Sequence, residues 1–192
     1  MQATALVENV QKELASISVL VTRQVEATAT AGSSTTVDCK IKVDDAFAAV
    51  WREYGSRLGC PTTEALGGYF AEEPFENGYM FWSQILDEFF VVVGDSKGEW
   101  YHFNKEEVDS FIASGDADCK AEPPNGLVQP VSGFGAIWCS QDELRNEIGF
   151  GTKPEFGVGE NLIQEFENGI ILRDSKGQFY VLFSNGTYVR EP

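Results

Sequence analysis

Among its 192 residues the chain has a single histidine, His102, and few basic side chains. It also lacks any unbroken run of about eighteen apolar residues, the minimum for a helix that crosses a bilayer. Each shortage excludes something. With one histidine and no Cys-x-x-Cys spacing, no familiar zinc set can be assembled without using every cysteine. Fourteen Lys and Arg against thirty Asp and Glu leave a formal charge of −16. That charge repels phosphate backbones and anionic membrane surfaces, so neither nucleic acid nor a membrane span is expected. No Gly-x-x-x-x-Gly-Lys-Ser/Thr segment occurs. The glycine-rich stretch GFGTKPEFGVG, Gly149 to Gly159, therefore reads as a loop rather than a phosphate cradle. Asp116 and Asp118 alternate in GDADCKAE but lack the ligand spacing of an EF-hand. No metal and no cofactor is expected. The opening MQATALVENVQKELAS has neither the basic start nor the apolar core of a signal peptide. For an exported protein, that reads as a mature or trimmed form.

The chain does contain four cysteines and many aromatics. Cys39, Cys60, Cys119 and Cys139 are an even set at wide spacing, which fits two disulfides formed in an oxidising, extracellular or cell-surface setting. Three pairings are open. Cys39 and Cys60 stand almost as far apart along the chain as Cys119 and Cys139, which favours one bridge in each half. Fourteen Phe, six Tyr and four Trp suit half-buried sheets, and nineteen Gly suit many turns.

The organisation is a doubled one. PFENGYMFW, from Pro74, and EFENGIILR, from Glu165, write Phe-Glu-Asn-Gly twice, each time ahead of an apolar run. Asn-Gly is a hairpin signal because both residues tolerate positive φ. In VDDAFAAVWREYGSRLG, residues Phe47, Val50, Trp51, Tyr54 and Leu58 fall on one helical face. Asp44 or Asp45 is the expected N-cap, and Gly59 the stop. SGFGAIWCSQDELRNEIG, Ser132 to Gly149, repeats that pattern, with Phe134, Ile137 and Trp138 standing for Phe47, Val50 and Trp51. EFFVVV and EWYHF in the first half correspond to QFYVLF and TYVR in the second. DSKG also occurs twice, but between different strands of the two halves, as turn chemistry rather than as part of the repeat.

The expected boundaries are an N-terminal helix over 1–28, a small polar linker over 29–42, a first unit over 43–115, a connection over 116–131 and a second unit over 132–192. The expected fold class is α+β. Each unit is a short helix on a small antiparallel sheet of three or four strands, with Phe75 and Phe166 against the Trp51 or Trp138 helix. A unit of about sixty residues buries only a marginal core alone, so the two are expected to pack together. Val7, Val10, Leu14, Ile17 and Val21 give the N-terminal segment a short apolar seam suited to self-association.

The segments LGCP (Leu58 to Pro61), FENGYMFW and their second-half counterparts recur in one order. Over about residues 43–192 this order resembles the paired C-terminal repeats of exported bacterial lipoproteins and surface proteins. It is similar to the LGFP-type repeats of cell-wall-associated proteins. The resemblance implies an accessory or adhesion module, with an envelope polysaccharide or another surface protein as its partner and no catalytic residues.

Tyr79, Phe81, Trp82, Trp100 and Tyr101 are the candidate ligand-binding residues, because alternation on strands must turn some of them away from the core. A competing reading is a glycoside hydrolase using Glu72, Glu73 and Glu76, or Glu165 and Glu167, as paired carboxylates. A third is a filament or coat subunit that inserts its N-terminal helix into a neighbour. His102 beside a free cysteine would suggest a thiol nucleophile, a reading that bridged cysteines remove.

Overall fold

The computed structural model describes residues 38–115 and 119–192. The N-terminal helix, most of the linker, and Asp116 and Asp118 fall outside the described residues. Eight strands are present: β1 (Leu66–Phe75), β2 (Gly78–Ser83), β3 (Glu88–Val93), β4 (Lys97–Asn104), β5 (Phe156–Phe166), β6 (Gly169–Arg173), β7 (Phe179–Phe183) and β8 (Thr187–Glu191). Four helices accompany them: α1 (Ala48–Leu58), α2 (Lys105–Ser114), α3 (Ser132–Ser140) and α4 (Asp142–Ile148).

The strands form one closed antiparallel barrel in the order β1-β2-β3-β4-β8-β7-β6-β5. The expectation of two separate α+β units, each with its own small sheet, is therefore wrong. The physical reason lies in the strand edges. A four-stranded meander leaves two edges with unpaired amides and carbonyls, which invite further pairing. Here the first edge of one meander pairs with the first edge of the other, Leu66 opposite Ile163 through Glu72 opposite Phe156. The last edges pair likewise, Lys97 with Val189 and Glu99 with Thr187. Eight strands enclose a space that side chains can just fill. Phe70, Phe81, Phe90, Tyr180 and Tyr188 fill it, together with Val92, Ile163, Leu172 and Leu182.

The helices also depart from expectation, because each covers the other half. Phe47, Val50 and Leu58 around α1 pack on Phe166, Ile171, Val181 and Phe183. Phe134, Ile137 and Trp138 of α3, with Ile148 of α4, pack on Phe75, Met80, Phe89 and Val91. Strand alternation makes this possible. In β3, Phe90 and Val92 point into the barrel while Phe89, Val91 and Val93 point out under the helices.

The Phe-Glu-Asn-Gly tips are where the halves grip each other. The Glu76 amide donates to Phe150 O and the Asn77 amide to Ile148 O, both at 3.0 Å. In the other half, the Glu167 amide donates to Cys60 O at 3.0 Å and the Asn168 amide to Leu58 O at 2.9 Å. Glu76 Oε2 accepts the Phe150 amide at 2.9 Å, and Glu167 Oε2 accepts the Cys60 amide at 3.2 Å. The indoles of Trp51 and Trp138 donate to Gly59 O (2.9 Å) and Gly149 O (2.7 Å), which fixes the helix exits. The repeated motif thus turns its hairpin and caps the loop after the other half's helix.

Local details follow the side chains. α2 starts at a capping box, Asn104 with Glu107, and stops at Gly115 in the left-handed region. The N-cap of α1 is Phe47 rather than Asp44 or Asp45. Asp44 Oδ1 instead accepts the Ala46 amide at 2.8 Å, which holds the turn before the helix. The second helical stretch, expected as one, is broken at Gln141, whose φ of −117° and ψ of 82° leave the helical region. Cys39–Cys60 and Cys119–Cys139 are the two disulfides, with Cα separations of 5.5 and 5.3 Å. Each closes a loop within one half, so no disulfide joins the two halves.

Gly59 and Gly149 adopt φ of 76° and 78° with ψ of −158°, a region open essentially to glycine. A Cβ on Gly149 would lie 2.6 Å from Glu76 Oε2. Gly149→Ala is expected to destabilise the fold by about 1–3 kcal/mol, from backbone strain and the displaced carboxylate. Urea unfolding checks this, with an exposed glycine-to-alanine change at Gly159, where nothing lies within 4 Å, as the control.

Candidate binding groove

The five aromatics singled out in the sequence do not share a surface. Phe81 is 1% exposed inside the barrel. Tyr79 stacks on it with ring centroids 5.6 Å apart and takes a hydrogen bond from Lys176 Nζ at 2.6 Å. Trp100 packs with the same interior cluster and donates to Phe183 O at 2.7 Å. Tyr101 lies on the outer face and donates to Glu99 and Glu147, and burial and these carboxylates push its hydroxyl up to about 12. Trp82 borders a groove on the outside of the barrel.

That groove has a volume of about 280 Å³ and lies on the outer face of the first meander, against α2 and the start of α3. Trp82, Phe89 and Phe134 form its apolar walls, and Asp87, Asp109 and Glu155 supply carboxylates. Local backbone features aim these side chains. The register slips between Gly68 and Phe70 where β1 meets β5. The extra residue belongs to β5, where Gly159 and Glu160 stand opposite Tyr69 alone. Tyr69 points outward by strand alternation and meets Trp82 edge-on, ring centroids 6.5 Å apart. Gly157 leaves room for it, since a Cβ there would sit 1.8 Å from the Tyr69 hydroxyl. In the β2–β3 turn Asp87 has φ of 55°, a conformation that aspartate tolerates better than most residues. Its Oδ1 accepts the Trp82 indole N–H at 3.1 Å. Ser132, with φ of 53°, also lines the groove. These are the two non-glycine residues with left-handed φ among the described residues, and both lie here. Strained backbone of this kind gathers at functional sites.

The exposed large apolar side chains gather here too. Ile112 lines the groove and Tyr69 touches Trp82. Val131 directly precedes Ser132, and Ile85 stands in the turn that carries Asp87. With Tyr69 and Ile112, they make up the exposed large hydrophobics of the described residues.

The hairpin glutamates are dispersed rather than paired. Glu72 faces inward and is fully buried, accepting hydrogen bonds from Asn161 Nδ2 (2.6 Å), the Ser175 amide (2.9 Å) and Ser175 Oγ (2.9 Å). Glu76 and Glu167 bind the amides already described. Glu73 faces outward and is 1% exposed, and its Oε2 has no hydrogen-bond partner. Burial, and then the charge of Glu155, push its carboxyl up to about 8. Glu155 is itself raised by burial. Gln164 occupies the matching position of the second half and is satisfied. It accepts the Asp44 amide and donates to Lys42 O and Thr63 O, each at 3.0 Å.

His102 contacts Glu88 Oε2 at 3.2 Å, and all four cysteines are bridged, so no thiol is present. Among the described residues no cluster of ligating side chains could hold a metal. None of their helices is long and apolar enough to cross a membrane. No family model, curated protein or solved structure matches the chain.

Sequence reasoning missed Tyr69, Asp87, Asp109, Ile112 and Glu155. Gly159, inside β5, was the available signal for the bulge, since glycine inside a strand marks one. The remainder come together only through packing.

Glu73 yields a pH prediction. Its folded-state value, about 8, lies above that of an unfolded glutamate. The folded protein therefore holds the proton more tightly in the interval between the two values. Stability contributed by the protonated acid is full below the unfolded value and is lost as pH rises towards 8. Glu73→Gln, which copies Gln164, is expected to flatten the fall in stability between about pH 5 and 8. Chemical denaturation across that range measures the slope. An unchanged slope would show that Glu73 is not the titrating group.

Proposed function

We propose that this chain is a secreted or cell-surface, non-enzymatic module that works by binding through the Trp82 groove, in adhesion or in assembly of a surface structure. One observation carries this reading: exposed Ile112 lines the groove, exposed Tyr69 meets its Trp82, and exposed Ile85 and Val131 lie within two residues of its Asp87 and Ser132. Exposed apolar side chains gathered at a groove mark an interaction site. The two disulfides are compatible with a secreted protein. The resemblance to repeats of cell-wall-associated and exported surface proteins points to the same class of role.

The hydrolase reading has less to stand on. Paired catalytic carboxylates must face one sugar from both sides at about 5–9 Å. Glu72 and Glu73 lie on opposite faces of β1, and Glu76 and Glu167 hold backbone amides. The filament reading rests on residues 3–27, outside the described residues. Particle sizing of the full chain against one starting at Thr36 tests it.

The full chain is expected to be depleted from solution by insoluble peptidoglycan, chitin or an immobilised surface-protein fraction, without releasing soluble products. Tyr69→Ser with Ile112→Ser should weaken that retention by about tenfold, as loss of a central apolar contact does. Tyr101→Phe should leave it unchanged. Turnover of any of these materials that Glu73→Gln abolishes would overturn the binding reading.

A further inference from the structure

Accepting the groove as the binding surface, we infer that its occupant is a protein segment carrying one basic side chain between apolar neighbours. The arginine or lysine enters between the Trp82–Phe89 wall and the carboxylates, and its neighbours cover Tyr69, Ile85, Ile112 and Val131.

Charge decides the sign of the occupant. Asp87, Asp109 and Glu155 face one ammonium in the groove, Lys105. Lys105 is already paired with Asp109, and Asp87 holds the Trp82 indole. Glu155 has no ion pair among the described residues. Three carboxylates against one ammonium leave the groove lining with an acidic excess that a cation relieves. Beside the groove, Asp87 and Lys105 also border a shallow depression that adds Glu88 and Glu106. An arginine or lysine stem would lie along the apolar wall with its head among the acids, and the Trp82 face adds a cation–π attraction.

The rim decides the kind of molecule. Sugars stack on flat rings, and Tyr69 and Trp82 offer that platform. Ile85, Ile112 and Val131 do not, because branched aliphatic side chains have no flat face. Exposed aliphatic side chains around an aromatic pocket match the core-and-anchor pattern of protein interfaces. A second copy of this chain is disfavoured, since two surfaces drawn from chains of net charge −16 repel.

The test is a titration of the isotopically labelled full chain, following the Trp82 indole N–H signal by NMR. The probes are a short capped peptide of isoleucine, arginine and phenylalanine, the same peptide with glutamate for arginine, and chitotetraose. The arginine peptide is expected to shift the Trp82 signal, and the glutamate peptide and the glycan are not. Glu155→Gln with Asp109→Asn, both at exposed positions, should weaken the peptide by about tenfold, in line with loss of a charged anchor. Added salt should weaken it in the parent chain more than in the double variant. Chitotetraose shifting Trp82 while the arginine peptide does not would overturn the protein-segment assignment and leave the groove as a glycan-binding surface. Equal binding of the arginine and glutamate peptides, or no loss in the double variant, would overturn the cationic anchor. If no probe moves the Trp82 signal, both this inference and the groove reading fall.

Discussion

The structure depends on unpaired strand edges that neither half can satisfy alone. Four strands in a meander end in two open edges, and hydrogen-bond donors and acceptors left there seek a partner. Pairing β1 with β5 and β4 with β8 removes all four edges at once. The barrel that results sets the positions of everything else. Its inner face takes the aromatic cluster around Phe81, Phe90 and Tyr180, and its outer faces take the helices.

The exchange of helices follows from that closure. Once the halves share a barrel, the apolar outer face of each meander lies within reach of the other half's helix. The loop after each helix then meets the opposite Phe-Glu-Asn-Gly tip. Glu76 and Glu167 serve as acceptors for amides that would otherwise be unmatched. Both disulfides lie within halves, so beyond the connecting chain the halves are held together by packing and hydrogen bonds. Burial of Phe75 and Phe166 under the exchanged helices supplies much of that hold, since removing a buried phenylalanine typically costs about 3–5 kcal/mol.

The halves match in their framework and differ in their polar chemistry. Gln164 is fully engaged where Glu73 is not. The first half carries α2 and the Asp87 turn, and these build the groove. A symmetric frame has thus come to bear an asymmetric surface. Binding at the groove would leave the clasp at the hairpin tip untouched, because Trp82 lies at the end of β2 away from the Glu76–Asn77 turn.

Much of the secondary structure was legible in the chain itself. β3 spans Glu88–Val93 as its apolar run implied, and both hairpins turn within Phe-Glu-Asn-Gly, at Glu-Asn with the glycine opening the return strand. Those features are local: alternation, turn chemistry and helical spacing act over a few residues. The number of sheets was not legible, because edge pairing joins residues such as Gly67 and Leu162 that lie far apart in sequence. Nor was the groove, which draws Trp82, Asp109 and Glu155 from separate segments. Strand alternation required some of the marked aromatics to face away from the core. Which of them reach solvent was decided by barrel closure, which turned Phe81 inward, and by the helices laid over the outside, which left Trp82 at an open edge.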